Sequence, residues 1–252
     1  LYLYKSMKII NILSFALVLN NSTAFHCKFP INKFQIKKKS NKILLNMKEN
    51  KLSEFKGSII NTSIFSFWAV HNSYLLTSYN INDKSIYESI FHLMTLIWQY
   101  VGLFIISHDL HHSEKPSLYD EILGRLSLLL YGGFILEDFS KNHKNHHKYP
   151  GIQFKDPDFD NSNPIIWYLK FMSRYINTQQ ILIEISVFFI LQSNNINYEN
   201  MLLFWFIPCI YASIQLFVYG TYLVHKSDKV IVNSLLPKNL NTFTCYNFGY
   251  HK

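Results

Sequence analysis

Cysteine is scarce in this chain and forms no recognisable pattern. The three cysteines, Cys27, Cys209 and Cys245, lie far apart, and none belongs to a Cys-x-x-Cys pair. A disulfide framework is therefore not indicated. Cys209 lies in an apolar run, where a free cysteine behaves as a small core residue.

Acidic residues are almost absent from the N-terminal part. Residues 1–51 contain ten lysines and one acid, Glu49, a net charge of +9. The rest has 14 basic and 15 acidic residues, out of 24 and 16 in the whole chain, a net charge of −1. The pI of 9.2 therefore results from the N-terminal lysines. No nucleic-acid-binding surface is indicated for the rest of the chain. A length of 252 residues favours one domain there.

The N-terminus has the pattern of a secretory signal peptide. Met7 is the first methionine, and Lys8 precedes the mostly apolar segment Ile9–Leu19, which is too short to span a bilayer. Ser22-Thr23-Ala24 is a small-residue cleavage site. We predict a signal peptide over residues 7–24; the alternative is a short amphipathic anchor.

The composition changes directly after Ala24. Phe25–Lys48 contains seven lysines and no acid, which is typical of a transit peptide, predicted here over residues 25–55. A signal peptide joined to a transit peptide, with Phe25 directly after the cleavage site, resembles the bipartite leader of algae with secondary plastids. That resemblance implies import into a plastid membrane, where residues 56–252 form the multi-pass domain.

Long uncharged runs dominate this domain. Met201–Val224 lacks Asp, Glu, Lys, Arg and His over 24 residues, which as a helix would reach about 36 Å, enough to span a membrane. Leu93–Ser107, extended by Ile86–His92, is also long enough. Weaker runs lie at Ile59–Tyr79, Leu126–Leu136 and Ile185–Leu191. We predict an all-α bundle of four to five membrane helices; a soluble helical protein is the alternative, since mean hydropathy is only +0.04.

Two histidine clusters lie at the ends of these runs. His108 and His112 are four residues apart, and His143, His146 and His147 have the spacing i, i+3, i+4. On a helix, such residues share one face, so their imidazoles can bind one ion, and imidazole suits Fe, Zn and Cu. Together with His111, the two clusters contain six histidines. This number exceeds the four ligands of one tetrahedral zinc, so a two-metal centre fits better. The His-Glu motif of helical zinc proteases is absent, because Asp109 follows His108.

Some of the histidines in the chain fit interpretations other than metal binding. A lone histidine is usually a satisfied core or surface residue, and we interpret His26, His71 and His92 in that way. The second cluster could instead be a solvated basic loop, since Lys141, Lys144 and Lys148 flank it. Helical spacing neither selects nor excludes His111 as a ligand.

Several motifs, in order along residues 85–252, resemble the β-carotene ketolase family, whose members are similar to membrane fatty-acid desaturases and hydroxylases. They are His108-Asp109-x-x-His112, Leu123-Gly124-Arg125-Leu126, His143-x-x-His146-His147-x-x-Pro150-Gly151, Asp156-Pro157-Asp158-Phe159, Gly220-Thr221-Tyr222-Leu223-x-His225 and Phe248-Gly249-Tyr250-His251. The resemblance implies a polytopic, desaturase-like helical bundle with a His-box di-iron site.

The resemblance also implies a chemistry. The family inserts a keto group at C4 of a β-ionone ring, using two non-haem irons, O2 and electrons, here from ferredoxin. Two hydroxylations at one carbon give a gem-diol, which loses water to the ketone. The hydrophobic carotenoid substrate would enter from the lipid bilayer. The iron ligands implied are His108, His112, His143, His146, His147 and His251, with His225 added as a further candidate.

Three carboxylates are predicted to assist. Asp156 and Asp158 could accept a ring N–H from a ligand histidine and fix its tautomer, and Asp109 could serve a neighbouring box. The alternative for Asp156-Pro157-Asp158 is a simple loop turn.

The third His box departs from the family pattern. Family members continue beyond the position of His251 with a His-His pair, whereas the sequence given stops at Lys252. Asn247 stands where bacterial members often carry histidine, and His111 where they carry an apolar residue. We therefore expect the chain, as given, to be inactive or nearly so. The competing hypotheses are a carotenoid hydroxylase, a fatty-acid desaturase and a truncated, metal-free membrane protein without activity.

Overall fold

The computed structural model describes residues 40–113, 116–225 and 244–246. This part of the chain is helical, as predicted, and contains seven principal helices. They are α1 Ser40–Thr77, α2 Ile86–His112, α3 Leu118–Gly132, α4 Leu136–Lys148, α5 Pro164–Tyr175, α6 Thr178–Ser193 and α7 Tyr198–His225. The predicted signal peptide, most of the predicted transit peptide, His26 and His251 lie outside the described residues.

The chain divides into two compact units, Leu1–Ile60 and Asn61–Lys252. In the described part, the first contains the beginning of α1, which runs without a break across the domain boundary predicted between residues 55 and 56. The second contains all the helices that position the candidate site.

Short polar side chains mark where several helices begin. The hydroxyl of Ser85 accepts a hydrogen bond from the backbone N–H of Glu88, and that of Ser117 does the same for Asp120. Asn163 and Asn177 cap α5 and α6 in the same way. Such caps satisfy N–H groups that the first helical turn leaves without partners.

In the part of the chain that the structure describes, two helices are long and apolar enough to cross a membrane, namely α2 with 27 residues and α7 with 28. They correspond to the two strongest runs predicted from the sequence. α3 and α6 have 15 and 16 residues, fewer than the roughly 20 that a perpendicular span needs. The count of four to five membrane helices therefore stays a prediction.

An aromatic cluster joins α1, α2 and α7. The rings of Trp68 and Trp205 both contact the fully buried ring of Tyr100, in edge-to-face geometry at 5.8 and 6.4 Å between centroids. Edge-to-face contacts are favourable because the positive ring edge meets a negative ring face. The rings of Trp68 and Trp205 also contact each other at 6.1 Å, so the cluster packs α1, α2 and the middle of α7 against one another.

α7 contains two π-helical stretches, Leu202–Phe206 and Phe217–Tyr222. The buried side chain of Asn72 donates to the carbonyl of Phe204 within the first stretch, at 2.6 Å. π-Helical turns are rare and occur often at functional sites. The second stretch ends three residues before His225.

His71 and His92 are satisfied residues, as we interpreted them. The Nε2 of His71 lies 3.0 Å from the Nδ1 of His92, and its Nδ1 lies 2.9 Å from the Oε1 of Gln99. These contacts join α1 to the first half of α2.

Gly133 ends α3 in a conformation that favours glycine. Its φ is +70°, and its N–H donates to the carbonyl of Leu129 at 2.8 Å. A Cβ at this position would meet the carbonyl of Gln180 and the Oε1 of Glu184, each at 3.1 Å. Both the left-handed backbone and the tight packing against α6 therefore disfavour a side chain.

We expect Gly133→Ala to lower the free energy of unfolding by about 1–2 kcal/mol, the cost of a left-handed residue with a Cβ. Thermal unfolding of the detergent-solubilised full chain measures this. Gly57→Ala is the control, since a Cβ there has nothing within 4 Å and alanine favours helix. Equal melting temperatures for the two variants would contradict the expectation.

Candidate metal centre

The two His boxes lie on α2 and α4, which meet through their C-terminal halves. The last two turns of α2 carry His108, Asp109 and His112. The polar helix α4 turns His143 and His146 inward, where both are buried, and leaves His147 exposed. Each helix thus presents an i, i+4 histidine pair to the other.

Four imidazole nitrogens form a chain across this interface. The Nε2 atoms of His108 and His112 are 3.4 Å apart, and those of His112 and His143 are 3.1 Å apart. The Nε2 of His147 lies 3.0 Å from that of His143. His108, His112 and His143 form a group whose ligand atoms all lie within 4.8 Å of one another.

These separations fit nitrogens that share a metal ion. Two imidazole nitrogens, each about 2.1 Å from one ion, lie about 3.0 Å apart at a right angle and about 3.4 Å apart at the tetrahedral angle. The distances observed, 3.0 to 3.4 Å, cover that interval.

Burial keeps His143 and His147 of α4 in the form that binds metal. Burial, and then the neighbouring imidazole of His108, lower the pKa of His143 far below its ordinary value. Burial and His146 also lower the pKa of His147. A neutral imidazole has a free lone pair, so the chemistry of this donor set suits iron.

A second group lies beside the first. His146, Asp156 and His225 place ligand atoms within 4.8 Å of one another, and the rings of His146 and His225 are 5.5 Å apart and perpendicular at 88°. The end of α7 therefore joins α4 and the loop after it. The described residues thus contain two groups of potential ligands, and the two-metal centre stays a prediction.

Asp156 contacts His146, the histidine whose tautomer it is predicted to fix. Its Oδ1 lies 2.9 Å from the Nδ1 of His146, and the backbone N–H groups of Gly151 and Asp158 also donate to its carboxylate. Burial opposes its ionisation, but these hydrogen bonds and His146 outweigh burial and lower the pKa of Asp156. An ionised carboxylate has no proton to give, so Nδ1 is the donor and Nε2 keeps the lone pair.

Asp158 lies further from His146 than Asp156 does. Its Oδ2 is 3.6 Å from the Nδ1 of His146, and its Oδ1 accepts a hydrogen bond from the hydroxyl of Tyr175 at 2.5 Å. Burial disfavours a charged His146, but Asp158 and Asp156 outweigh it and raise the pKa of His146. A turn alone does not account for these contacts.

The loop that carries both aspartates is fixed to α5. Arg174 donates to the carbonyls of Pro157 and Phe159 at 2.8 and 3.0 Å. Asp160 is buried and pairs with Lys170 at 2.9 Å and Arg174 at 3.2 Å. Burial opposes the charge of Asp160, but hydrogen bonds from Ser162 and Lys170 outweigh it and lower its pKa to about 2. The aspartates are therefore held in place before any ion binds.

Asp109 and His111 contribute less to the centre. The side chain of Asp109 is 61% exposed, and its Oδ1 lies 3.5 Å from the Nδ1 of His108, at the limit of a hydrogen bond. The Nδ1 of His111 donates to the carbonyl of Ser107 at 2.8 Å, and its Nε2 contacts the hydroxyl of Ser140. Both ring nitrogens of His111 are thus engaged, which answers the question left open by helical spacing: here it is not placed as a ligand.

A largely aromatic cavity with an open mouth reaches the histidines. His108, His143, His146 and Asp158 line its polar end. Its apolar walls come from five helices and the loop between α3 and α4, and comprise Phe104, Tyr131, Phe134, Phe139, Phe171, Met172 and Leu216. Such a shape fits the end of a bulky apolar ligand next to a reactive centre.

Sequence reasoning missed several of these residues. Phe104 and Phe139 each precede a histidine of the centre by four residues, and they stack on His108 and His143 at 6.1 and 5.6 Å. That four-residue spacing could have identified both aromatic residues from the sequence. No sequence pattern identifies Tyr175, because its contact with Asp158 depends on how α5 packs.

The chain is similar to several known proteins. A family model described as fatty acid desaturase matches residues 89–196. The β-carotene ketolase of a Paracoccus species is 34% identical over 177 residues, which cover 65% of this chain and 72% of the relative. The β-carotene 4-ketolase of Protosiphon botryoides is 32% identical, over 62% of this chain and 45% of the relative. The zeaxanthin 4-ketolase of Chlamydomonas reinhardtii is 31% identical, over 62% and 38%. No solved structure gives a significant match.

The two aspartates beside histidines should differ in importance. Asp156→Asn keeps the shape but removes the charge that fixes His146, so we expect iron affinity to fall by about 10- to 100-fold. Iron titration of the purified chain, followed by elemental analysis, measures this. Asp109→Asn is the matched control and should keep near-normal affinity. A larger loss in the control would contradict this assignment.

The neighbours His111 and His112 give a second test. His112→Ala removes a nitrogen that lies between two others, so we expect most of the bound iron to be lost. His111→Ala should keep the iron and cost only about 1 kcal/mol in stability for its hydrogen bonds. Iron content per chain and melting temperature separate the two outcomes. Equal iron loss in both variants would show that His111 is a ligand.

Proposed function

Because the chain belongs to the β-carotene ketolase family, within the fatty-acid-desaturase-like superfamily, we propose that it is a carotenoid 4-ketolase. It is an oxidoreductase that introduces a keto group at C4 of the β-ionone ring of β-carotene or a related carotenoid. The reaction uses O2 and electrons from ferredoxin at a non-haem di-iron centre.

The observation that carries this proposal is the aromatic cavity that ends at the histidines. Phe104, Phe139 and Phe171 offer apolar faces to a ring, and the polar end of the same cavity is formed by His108, His143 and His146. A β-ionone ring bound in this cavity would therefore place one edge next to the histidines. Apolar walls also keep water away from the reacting carbon, because they offer it no hydrogen bonds.

The residues of the chain bind and orient the reactants. His108, His112, His143 and His147 would hold one iron, and His146 and His225 the other, with His251 added from the third box. Asp156 holds His146 in its tautomer, and Tyr175 holds Asp158. Bound iron supplies the activation of O2 and the oxidation of the ring carbon. The C4 carbon, hydroxylated twice, then loses water to give the ketone.

We place the enzyme in a plastid membrane. α2 and α7 can cross a bilayer, and a carotenoid dissolves in the hydrocarbon region between the leaflets. The algal 4-ketolases among the relatives and the leader-like residues 7–55 support a plastid.

The full-length gene product, expressed in cells that accumulate β-carotene, should form echinenone and canthaxanthin. Keto groups extend the conjugated system, so the pigment should redden, and chromatography with mass spectrometry identifies the products. The His143→Ala variant, expressed equally, should leave β-carotene unchanged. Hydroxylated products without any ketone would contradict the ketolase assignment and favour a carotenoid hydroxylase. A parallel culture that accumulates zeaxanthin shows whether 3-hydroxylated rings are accepted.

A further inference from the structure

The outer face of α4 is a row of lysines. Lys141, Lys144 and Lys148 have the spacing i, i+3, i+7, which places them on one side of the helix, and all three are exposed. His143 and His146 point to the other side and are buried. The helix that supplies half of the metal centre therefore carries a positive charge on its opposite surface.

The row continues into the loop after α4. The ammonium groups of Lys148 and Lys155 lie 5.0 and 5.4 Å from the centre of the same Tyr149 ring. We call Lys141, Lys144, Lys148 and Lys155 the lysine face. Two positive charges held close to one ring create a positive electrostatic potential at this surface, which attracts an anionic partner.

Within the described part of the chain, acidic side chains form no ion pair with the lysine face. Among the described residues, none of its four lysines forms an ion pair, whereas Lys170 and Arg174 nearby in sequence share Asp160. The two acids of α4 are engaged elsewhere, since Glu137 pairs with Arg125 at 2.5 Å and Asp138 accepts from Asn177 at 2.9 Å. The charge is therefore available to a partner.

An exposed aromatic residue adjoins these charges. Phe154 is 92% exposed and has a φ of 65°, a conformation that is costly for a bulky residue. The backbone thus holds an apolar ring outward, directly before Lys155. An aromatic anchor beside a charged rim is typical of protein–protein interfaces.

We propose that the lysine face, with Phe154, is the docking surface for an acidic one-electron carrier protein that reduces the metal centre. The inference rests on the proposed function, which requires electrons. Each hydroxylation combines the C–H substrate, one O2, two electrons and two protons, and gives the C–OH product and one water. Two carriers must therefore each be oxidised by one electron in every cycle.

The position of the lysine face suits electron transfer. Only the width of α4, about 10 Å with its side chains, separates the lysines from the inward histidines. His147 is exposed at the same helix end, and its Nε2 lies 3.0 Å from that of His143. An acidic carrier on this face would lie closer to the centre than one bound at the start of α2, since a 27-residue helix is about 40 Å long.

Binding of a plant-type [2Fe–2S] ferredoxin, an acidic carrier, tests the proposal without turnover. The full chain in neutral nanodiscs is immobilised, and the Kd for ferredoxin is measured by interferometry at several salt concentrations. We expect Lys144→Glu/Lys148→Glu to raise the Kd at least 10-fold and to flatten its salt dependence. Lys144→Gln/Lys148→Gln should give an intermediate Kd, and Phe154→Ala a several-fold increase.

Lys84→Glu is the matched control, since Lys84 is an exposed lysine just before the other end of α2. It should leave the Kd unchanged, and all variants should keep the wild-type melting temperature and iron content. An unchanged Kd in both double variants, or an equal effect of Lys84→Glu, would overturn the proposal. Loss of binding to vesicles containing phosphatidylglycerol, with ferredoxin binding retained, would assign the lysine face to lipid headgroups instead. Because the assay measures binding alone, its result stands whether or not the ketolase assay succeeds.

Discussion

Crowding of neutral imidazoles between α2 and α4 is the constraint on which the site depends. The Nε2 atoms of His108, His112, His143 and His147 form a chain in which neighbouring atoms are 3.0–3.4 Å apart, and the chain crosses from one helix to the other. Neutral imidazoles at this distance can satisfy one another only in part, because each has a single N–H. A shared cation resolves the conflict, since every nitrogen can then direct its lone pair inward. The contacts between α2 and α4, the depressed pKa of His143 and the largely apolar cavity all serve this arrangement.

The parts of the site that follow from local geometry were predictable from the sequence. Helical spacing alone placed His108 with His112 and His143 with His147 on shared faces, and the structure brings the two pairs together. The role expected for Asp156 also depends on a short distance along the chain, ten residues from His146. In both cases a regular element or a tight loop leaves few other arrangements.

Contacts between elements distant in sequence were not predictable. The engagement of His111 by Ser140 and of Asp158 by Tyr175 depends on how helices cross, which no periodicity encodes. Asp109 shows the reverse case, since its position beside His108 suggested a role, yet its side chain turns to solvent. Apolar content predicted the two long helices, but α3 and α6 show that a hydrophobic run does not set the length of a helix.

The π-helical stretch Phe217–Tyr222 makes the second group of ligands depend on chain length as well as on residue type. A π turn accommodates about one residue more than an α turn, and one residue corresponds to about 100° of rotation about the helix axis. If this stretch became a regular α-helix without losing a residue, every residue beyond it would rotate by about that angle. His225 would then turn away from His146 while keeping its identity. A related protein with a regular α-helix here would thus need one residue fewer before its histidine to keep this half of the centre, so the spacing to His225 is as diagnostic as the histidine itself.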